Sequence, residues 1–248
     1  MLVAETAGAL RGLRLDPGGL VIACRRIVER HPTTGPLWWL CAHVLTAPEP
    51  FATAHRLADE CDRDPTPGRL AADLADDATV VVVGWPDLIG EALVRRGDLR
   101  VLAVDAAGQG SSFARRLQRA DVEVEVVAPE GAATAAACAD LVLLETIALG
   151  PDGALCPLGS LAVAASAYCA EVPVWLAAGV GRRLPAPLWR GMLERMAEVG
   201  QPWEHELEPV PLALVATVVG PSGTAPVERA DLAPECPAAL ELLRSSAM

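Results

Sequence analysis

The residues best placed for chemistry lie between Ala139 and Gly181. Asp140 opens a continuous apolar run, Leu141-Val142-Leu143-Leu144, which fits a fully buried parallel strand, and Glu145 closes it. Open α/β sheets bind ligands outside the carboxyl ends of their strands, so Glu145 is the better placed of the two carboxylates for general-base or ligand-binding work. A Gly/Pro/Asp loop follows. Gly159-Ser160 then precedes a small-residue helix over Leu161 to Cys169, and a second buried strand runs from Val172 to Ala178. Gly159 and Ser160 offer the same edge free amides and a hydroxyl; a solvated strand-end carboxylate beside an ordinary helix cap accounts for these residues equally.

Two more stretches qualify. Asp105-Ala106-Ala107-Gly108-Gln109-Gly110-Ser111-Ser112 follows a strand and opens a helix, where successive amides and two hydroxyls suit either an anion or a plain serine cap after a glycine turn. Gly84-Trp85-Pro86-Asp87 follows the first strand with one glycine, and matches neither a dinucleotide fingerprint nor a Walker loop. Trp85 either packs over that turn or lines a pocket. The expected ligand-lining set is Trp85, Asp105, Gln109, Gly110, Ser111, Glu145, Gly159 and Ser160, with no cofactor and no metal. The four histidines, His31, His43, His55 and His205, are expected away from the carboxyl edge, and no Ser or Cys pairs with one of them by spacing.

The elements that must carry these residues fall into two parts. Residues 1–75 read as a helical N-terminal module: Asp16-Pro17 is a cap followed by Pro in the first turn, and Pro36, Phe51 and Gly68 begin later helices. Trp38-Trp39 reads as a packing cluster or, alternatively, as part of a dimer interface. From Thr79 strands alternate with helices, so residues 76–248 form a Rossmann-like α/β domain with a mostly parallel sheet of about six strands. Leu232 to Met248 carries weak signals and is expected to fray.

Bulk properties narrow the class. A net charge of -12 and a pI near 4.8 argue against nucleic-acid or anionic-membrane surfaces, which need clustered Lys and Arg. Pairs such as Arg182-Arg183 read as solvated faces. Seven scattered cysteines without a CxxC or Cys/His spacing indicate a reducing cytoplasmic setting, with no signal peptide and no membrane span expected.

The central stretch resembles a known family. Ala139-Asp140, Asp152-Gly153, the Ala154 to Leu158 loop, Gly159-Ser160 and Val172-Pro173 follow the order seen in the α, β and δ subunits of eukaryotic translation initiation factor 2B, methylthioribose-1-phosphate isomerase and ribose-1,5-bisphosphate isomerase. Glu208 to Ala216 and Val218 to Gly223 resemble that family's closing segment. The resemblance spans roughly residues 79 to 225 and implies a Rossmann-like sheet and a homodimer. It sets Asp140 against the family's Gly-Ala-Asp aspartate. The departures are specific: Gly84-Trp85-Pro86 stands where the isomerases carry a catalytic cysteine, Asp105-Ala106-Ala107-Gly108 replaces an acidic-x-Arg-Pro segment, and Cys156-Pro157 replaces Asn-Lys. The leading expectation is a divergent, non-catalytic protein that binds a small phosphorylated or polar metabolite, or a partner subunit, at the sheet's carboxyl edge. The alternatives are a sugar-phosphate aldose-ketose isomerase using Asp140 or Glu145 as base with Cys156 as acid, and an assembly subunit.

Overall fold

The computed structural model describes residues 2–12 and 16–244. Five helices come first: α1 (Leu2–Gly12), α2 (Pro17–Arg30), α3 (Gly35–Thr46), α4 (Pro50–Asp62) and α5 (Thr66–Asp73). Each of the last four has Pro in its first turn, where the missing N–H costs no intrahelical bond, and Asp16 caps α2 by accepting the Gly19 amide at 2.6 Å. The alternating part follows as β1 (Thr79–Val83), α6 (Asp87–Arg96), β2 (Arg100–Val104), α7 (Gln109–Gln118), β3 (Val124–Val127), α8 (Ala132–Cys138) and β4 (Leu141–Glu145). It continues with β5 (Ala148–Leu149), β6 (Gly153–Pro157), α9 (Ser160–Cys169), β7 (Val174–Ala177), α10 (Ala186–Ala197), β8 (Leu207–Pro211), β9 (Thr217–Gly220) and β10 (Gly223–Pro226).

The main sheet has seven strands, one more than expected, in the order β10-β9-β7-β4-β1-β2-β3. All its pairings are parallel except β10 with β9. The continuous valine run of β1 makes sense in the middle of this sheet. Val81 and Val83 face the core beneath α8 and α9, while Val80 and Val82 face the core beneath α5, α6 and α7. Alternation sends neighbours to opposite faces, and both faces are covered.

A second sheet, β5-β6-β8, takes its first two strands from what the sequence presents as a Gly/Pro/Asp loop. Its strands are short and poor in β-branched residues, which hides them from pattern reading. Pairing of Ile147 N with Leu155 O and Gly150 N with Gly153 O turns the 153 and 155 backbone groups toward β5. Pro209 and Pro211, opposite Leu155 and Gly153, therefore face outward on β8 and leave that edge short of donors.

Helices α1 to α4 share one core with α10, with Ala148 and Leu155 of the small sheet, and with Cys236, Ala239 and Leu242. Two expectations change here. Trp38 and Trp39 are both buried within the chain, Trp38 Nε1 donating to Pro32 O at 2.8 Å beneath the Arg195 guanidinium, so neither ring is presented to a partner. The segment after Leu232 is packed rather than frayed as far as Arg244, because Leu242 is fully buried and Arg25 and Arg195 donate to the Glu241 and Leu242 carbonyls. Residues 245–248 of that stretch lie outside the described residues.

The N-terminal helices come close to the site-bearing loop at Gly35. A Cβ there would lie 2.4 Å from the Ile147 carbonyl oxygen. Gly35→Ala should therefore lose about 1–3 kcal/mol in urea unfolding, since backbone must move to admit the methyl group. Gly8→Ala, in α1 with open space around it, should instead gain about 0.5–1 kcal/mol.

Candidate functional site

The chain lays β2 and β3 on one side of β1, and β4, β7 and β9 on the other. The order reverses between β1 and β4, and the crevice outside their carboxyl ends is where an open α/β sheet takes its ligand. Glu145, at the end of β4, fills that position. Its Oε2 accepts the amides of Leu88 at 2.8 Å and Ile89 at 3.2 Å in the first turn of α6, and its Oε1 accepts Arg182 Nη1 at 3.0 Å. Arg182 also donates to the Thr146 carbonyl. Burial pushes the Glu145 carboxyl above its ordinary range, against the opposing pull of Arg182 and the α6 amides. The helix N-terminus thus holds an anion already, and that anion belongs to the protein.

The loop from Ala178 to Arg183 gathers the rest. Asp64 Oδ2 accepts the Val180 amide at 2.9 Å, tying α4's exit to the loop. Arg183 Nη2 meets Glu235 Oε1 at 3.0 Å, and the Arg183 amide donates to Glu235 Oε2 at 3.1 Å. The Glu235 carbonyl takes Trp39 Nε1 at 3.2 Å and the His43 ring at 2.7 Å. His43 therefore stands beside the carboxyl ends of β7 and β9, contrary to the sequence expectation, because α3 crosses that edge. Arg182 and Arg183 form buried ion pairs instead of a solvated face, with side chains only 14% and 13% exposed. Their signal in the sequence is positional: they lie in the loop that leaves the carboxyl end of the buried strand β7.

The other expected residues divide. Asp105 Oδ2 accepts the Ser111 hydroxyl at 2.7 Å and its Oδ1 the Ser111 amide at 3.1 Å, which draws the Asp105 carboxyl below its ordinary range. Gly110 fits there because a Cβ would sit 2.6 Å from the Val104 carbonyl oxygen. The α7 N-terminus is consequently closed by an internal carboxylate, and the glycine-serine stretch works as a cap. Gln109 reaches toward the turn after β1: a Cβ on Gly84 would lie 3.5 Å from both Gln109 Oε1 and Pro157 Cβ. Trp85 is partly exposed, donates to Asp87 Oδ1 at 2.8 Å and packs edge-on against Phe113. Ser160 is fully buried at the start of α9 after Gly159, its hydroxyl without a protein partner, while Glu208 Oε1 accepts the Leu161 amide at 2.8 Å.

Asp140 is separated from all of these. It sits at the amino end of β4, where Oδ2 accepts the Thr79 amide at 2.8 Å. Five residue steps of about 3.3 Å each separate it from Glu145. Cys156 is sealed in the core, and burial pushes its thiol up to about 12. Among the described residues no cluster of His, Cys, Asp and Glu could hold a metal ion, and no helix is long and apolar enough to cross a membrane.

No protein-family model and no curated protein matches the sequence. Solved structures do match in shape. Translation initiation factor eIF-2B from Pyrococcus horikoshii OT3 superimposes with a TM-score of 0.75 at 15% identity, over 90% of each chain. A chain of the tetrameric eIF2B-β2-δ2 complex from Chaetomium thermophilum gives 0.63 at 15% identity over 91% of each chain, and the eIF-2B δ subunit from A. fulgidus gives 0.54 at 15% over 90% of this chain and 87% of that one. The α/β fold implied by the resemblance is the fold observed.

Two measurements follow from this geometry. Glu145 binds its proton more tightly folded than unfolded, so its contribution favours the native state at low pH and is lost as pH rises through the raised value. Urea midpoints between about pH 4 and pH 8 should carry that falling component, and Glu145→Gln should remove it. Asp105, shifted the other way, adds stability that disappears on acidification, and Asp105→Asn should remove that opposite slope. Arg182→Met, which leaves the carboxylate buried without its cation, should cost about 3–5 kcal/mol. With a disulfide thiol reagent, the exposed Cys138 and Cys169 should react in the native protein while Cys156 reacts only on unfolding.

Proposed function

We propose that this chain is a non-catalytic, divergent protein of the initiation factor 2B type that binds a small polar or phosphorylated metabolite at the carboxyl edge of its sheet. The observation that carries the reading is the state of Glu145: both oxygens are engaged, by the α6 amides and by Arg182. A general base must reach a substrate proton, and this carboxylate is only 5% exposed and turned onto α6 and Arg182. Cys156, the candidate acid, is out of contact with solvent, and Asp140 is at the opposite end of its strand. Proton shuttling between neighbouring carbons, as aldose-ketose exchange requires, has no matched pair of groups here. Trp85, Gln109, Gly159 and Ser160 remain the residues with which a bound metabolite would be held, around the turn after β1.

The chain acts as a homodimer in this reading; the Chaetomium thermophilum relative in fold is itself a chain of a tetrameric complex. A cytoplasmic setting is supported by seven cysteines that are all free thiols.

Titration calorimetry with pentose phosphates and nucleoside monophosphates should give saturable heat for at least one of them; silence across the panel would sink the binding reading. Assays with aldose phosphates should show no turnover. Turnover that vanishes in Glu145→Gln or in Asp140→Asn would overturn the non-catalytic reading. Sedimentation velocity should return the mass of a dimer.

A further inference from the structure

Helices α8 and α9 lie side by side over one face of the main sheet and send Ala135, Ala136, Val163 and Ala164 into the core beneath them. Their outer sides are unlike those of the other helices on the sheet. α8 turns Ala133, Thr134, Ala137 and Cys138 to solvent, and α9 turns Leu161, Ala162, Tyr168 and Cys169. Neither helix contains a charged residue anywhere along its length. On the opposite face of the same sheet, α6 exposes Asp87, Glu91 and Arg95, and α7 exposes Arg115 and Gln118. A helix that meets water carries a polar outer stripe, whereas one that is apolar or small all round belongs in an interior. Yet Tyr168 is 64% exposed and Leu161 37%.

From this contrast we infer that the outer side of α8 and α9 is a dimer interface, covered by a second copy of this chain. Charge argues for a copy. At a net charge of -12 two chains repel across most of their surface, and they can close on one another only where the carboxylates are absent. The face of α8 and α9 is neutral and so self-complementary: turned about a two-fold axis it meets itself with no like charges opposed, as an isologous pair requires. Shape agrees. Ala133, Ala137 and Ala162 keep the helices smooth enough for close approach, and a groove of about 740 Å³ beside α9, lined by Val172, Pro173 and Leu214, offers each copy a place to insert the other's tyrosine. The ten residues of α9 rise about 15 Å, and two helices with the groove span about 30 Å, a face of roughly 450 Å² before side-chain relief, which is the scale of a weak, reversible dimer. The rim is mainly acidic: Glu130 precedes α8, and Glu171 and Glu228 line the groove, with Arg229 next in the chain. Salt should therefore tighten a pair of copies, while it would release a basic partner from the same face.

The inference rests on the homodimer reading above and adds the surface to it. Its test uses the whole protein grown with 3-fluorotyrosine. Tyr168 is the chain's single tyrosine, so the fluorine spectrum carries one resonance, and it comes from this face. Sedimentation velocity should show monomer passing to dimer with a dissociation constant on the order of micromolar, and the fluorine resonance should move over the same concentrations. Cys138 and Cys169, which react freely in the dilute protein, should slow in step with the mass. Tyr168→Glu and Ala137→Glu should each weaken the dimer roughly tenfold or more, with the urea midpoint of the dilute protein nearly unchanged because both positions are exposed in the single chain. Gln118→Glu, which adds the same charge to exposed α7, should leave the dimer intact. A dimer whose fluorine resonance stays still on dilution, one that survives both glutamates, or one that salt dissociates would leave the homodimer reading standing and overturn this surface. A monomer at every concentration up to the solubility limit would overturn both. A monomer whose resonance moves only when polylysine is added would give the face to a basic partner, and the inference of a second copy would fall.

Discussion

Glu145 and Arg182 make the pairing on which the site end of this molecule depends. Taking a carboxylate and a guanidinium out of water is costly, and their mutual attraction offsets that cost only when the remaining lone pairs and protons are also satisfied. Here two α6 amides add to the bond the carboxylate accepts from Arg182, and the Thr146 carbonyl accepts a further hydrogen bond from the guanidinium. The pair couples four separate pieces of chain, namely the end of β4, the start of α6, the loop after β7 and, through Asp64 and Val180, the exit of α4. The helices are thereby fixed against the sheet by hydrogen bonds at its carboxyl edge as well as by their apolar core.

The same pattern of contacts recurs along the carboxyl edge of a frame shared in shape with initiation factor 2B subunits. The expected position for a ligand, between β1 and β4, exists in the topology. The side chains there have been turned inward: Glu145 onto α6, Asp105 onto α7, Glu208 onto α9. Three helix N-termini that could face an anion each hold a carboxylate of the chain itself. What stays open is shifted along the edge, toward β7, β9 and Arg183.

Much of the frame was legible because burial writes itself into composition. The valines of β1 and the run Leu141 to Leu144 are continuous because both faces of the main sheet are covered, and Pro in the first turn marks the start of four helices. The small sheet was not legible, since Ala148-Leu149 is two residues long and β8 alternates proline with other residues. The apolar run between Asp140 and Glu145 already set them at opposite ends of one strand, and that is where β4 holds them. Arg182, Arg183, Glu235 and Asp64 were missed for one reason. Their partners are distant in sequence, and a charged pair buried by tertiary contact has the same local pattern as one left in water.

The carboxylate over α6 can also be viewed as a tethered ligand. Fixed by its strand and by Arg182, Glu145 meets the Leu88 and Ile89 amides at an effective concentration that, for a short connection, is roughly millimolar or above. A free phosphate has to outcompete that concentration while leaving Glu145 buried beside it and uncompensated. Protonating Glu145 weakens the tethered competitor, and the raised pKa brings that event to a higher pH than for an ordinary glutamate. The helix end that in other α/β proteins recruits a substrate is, in this one, a site with a permanent occupant.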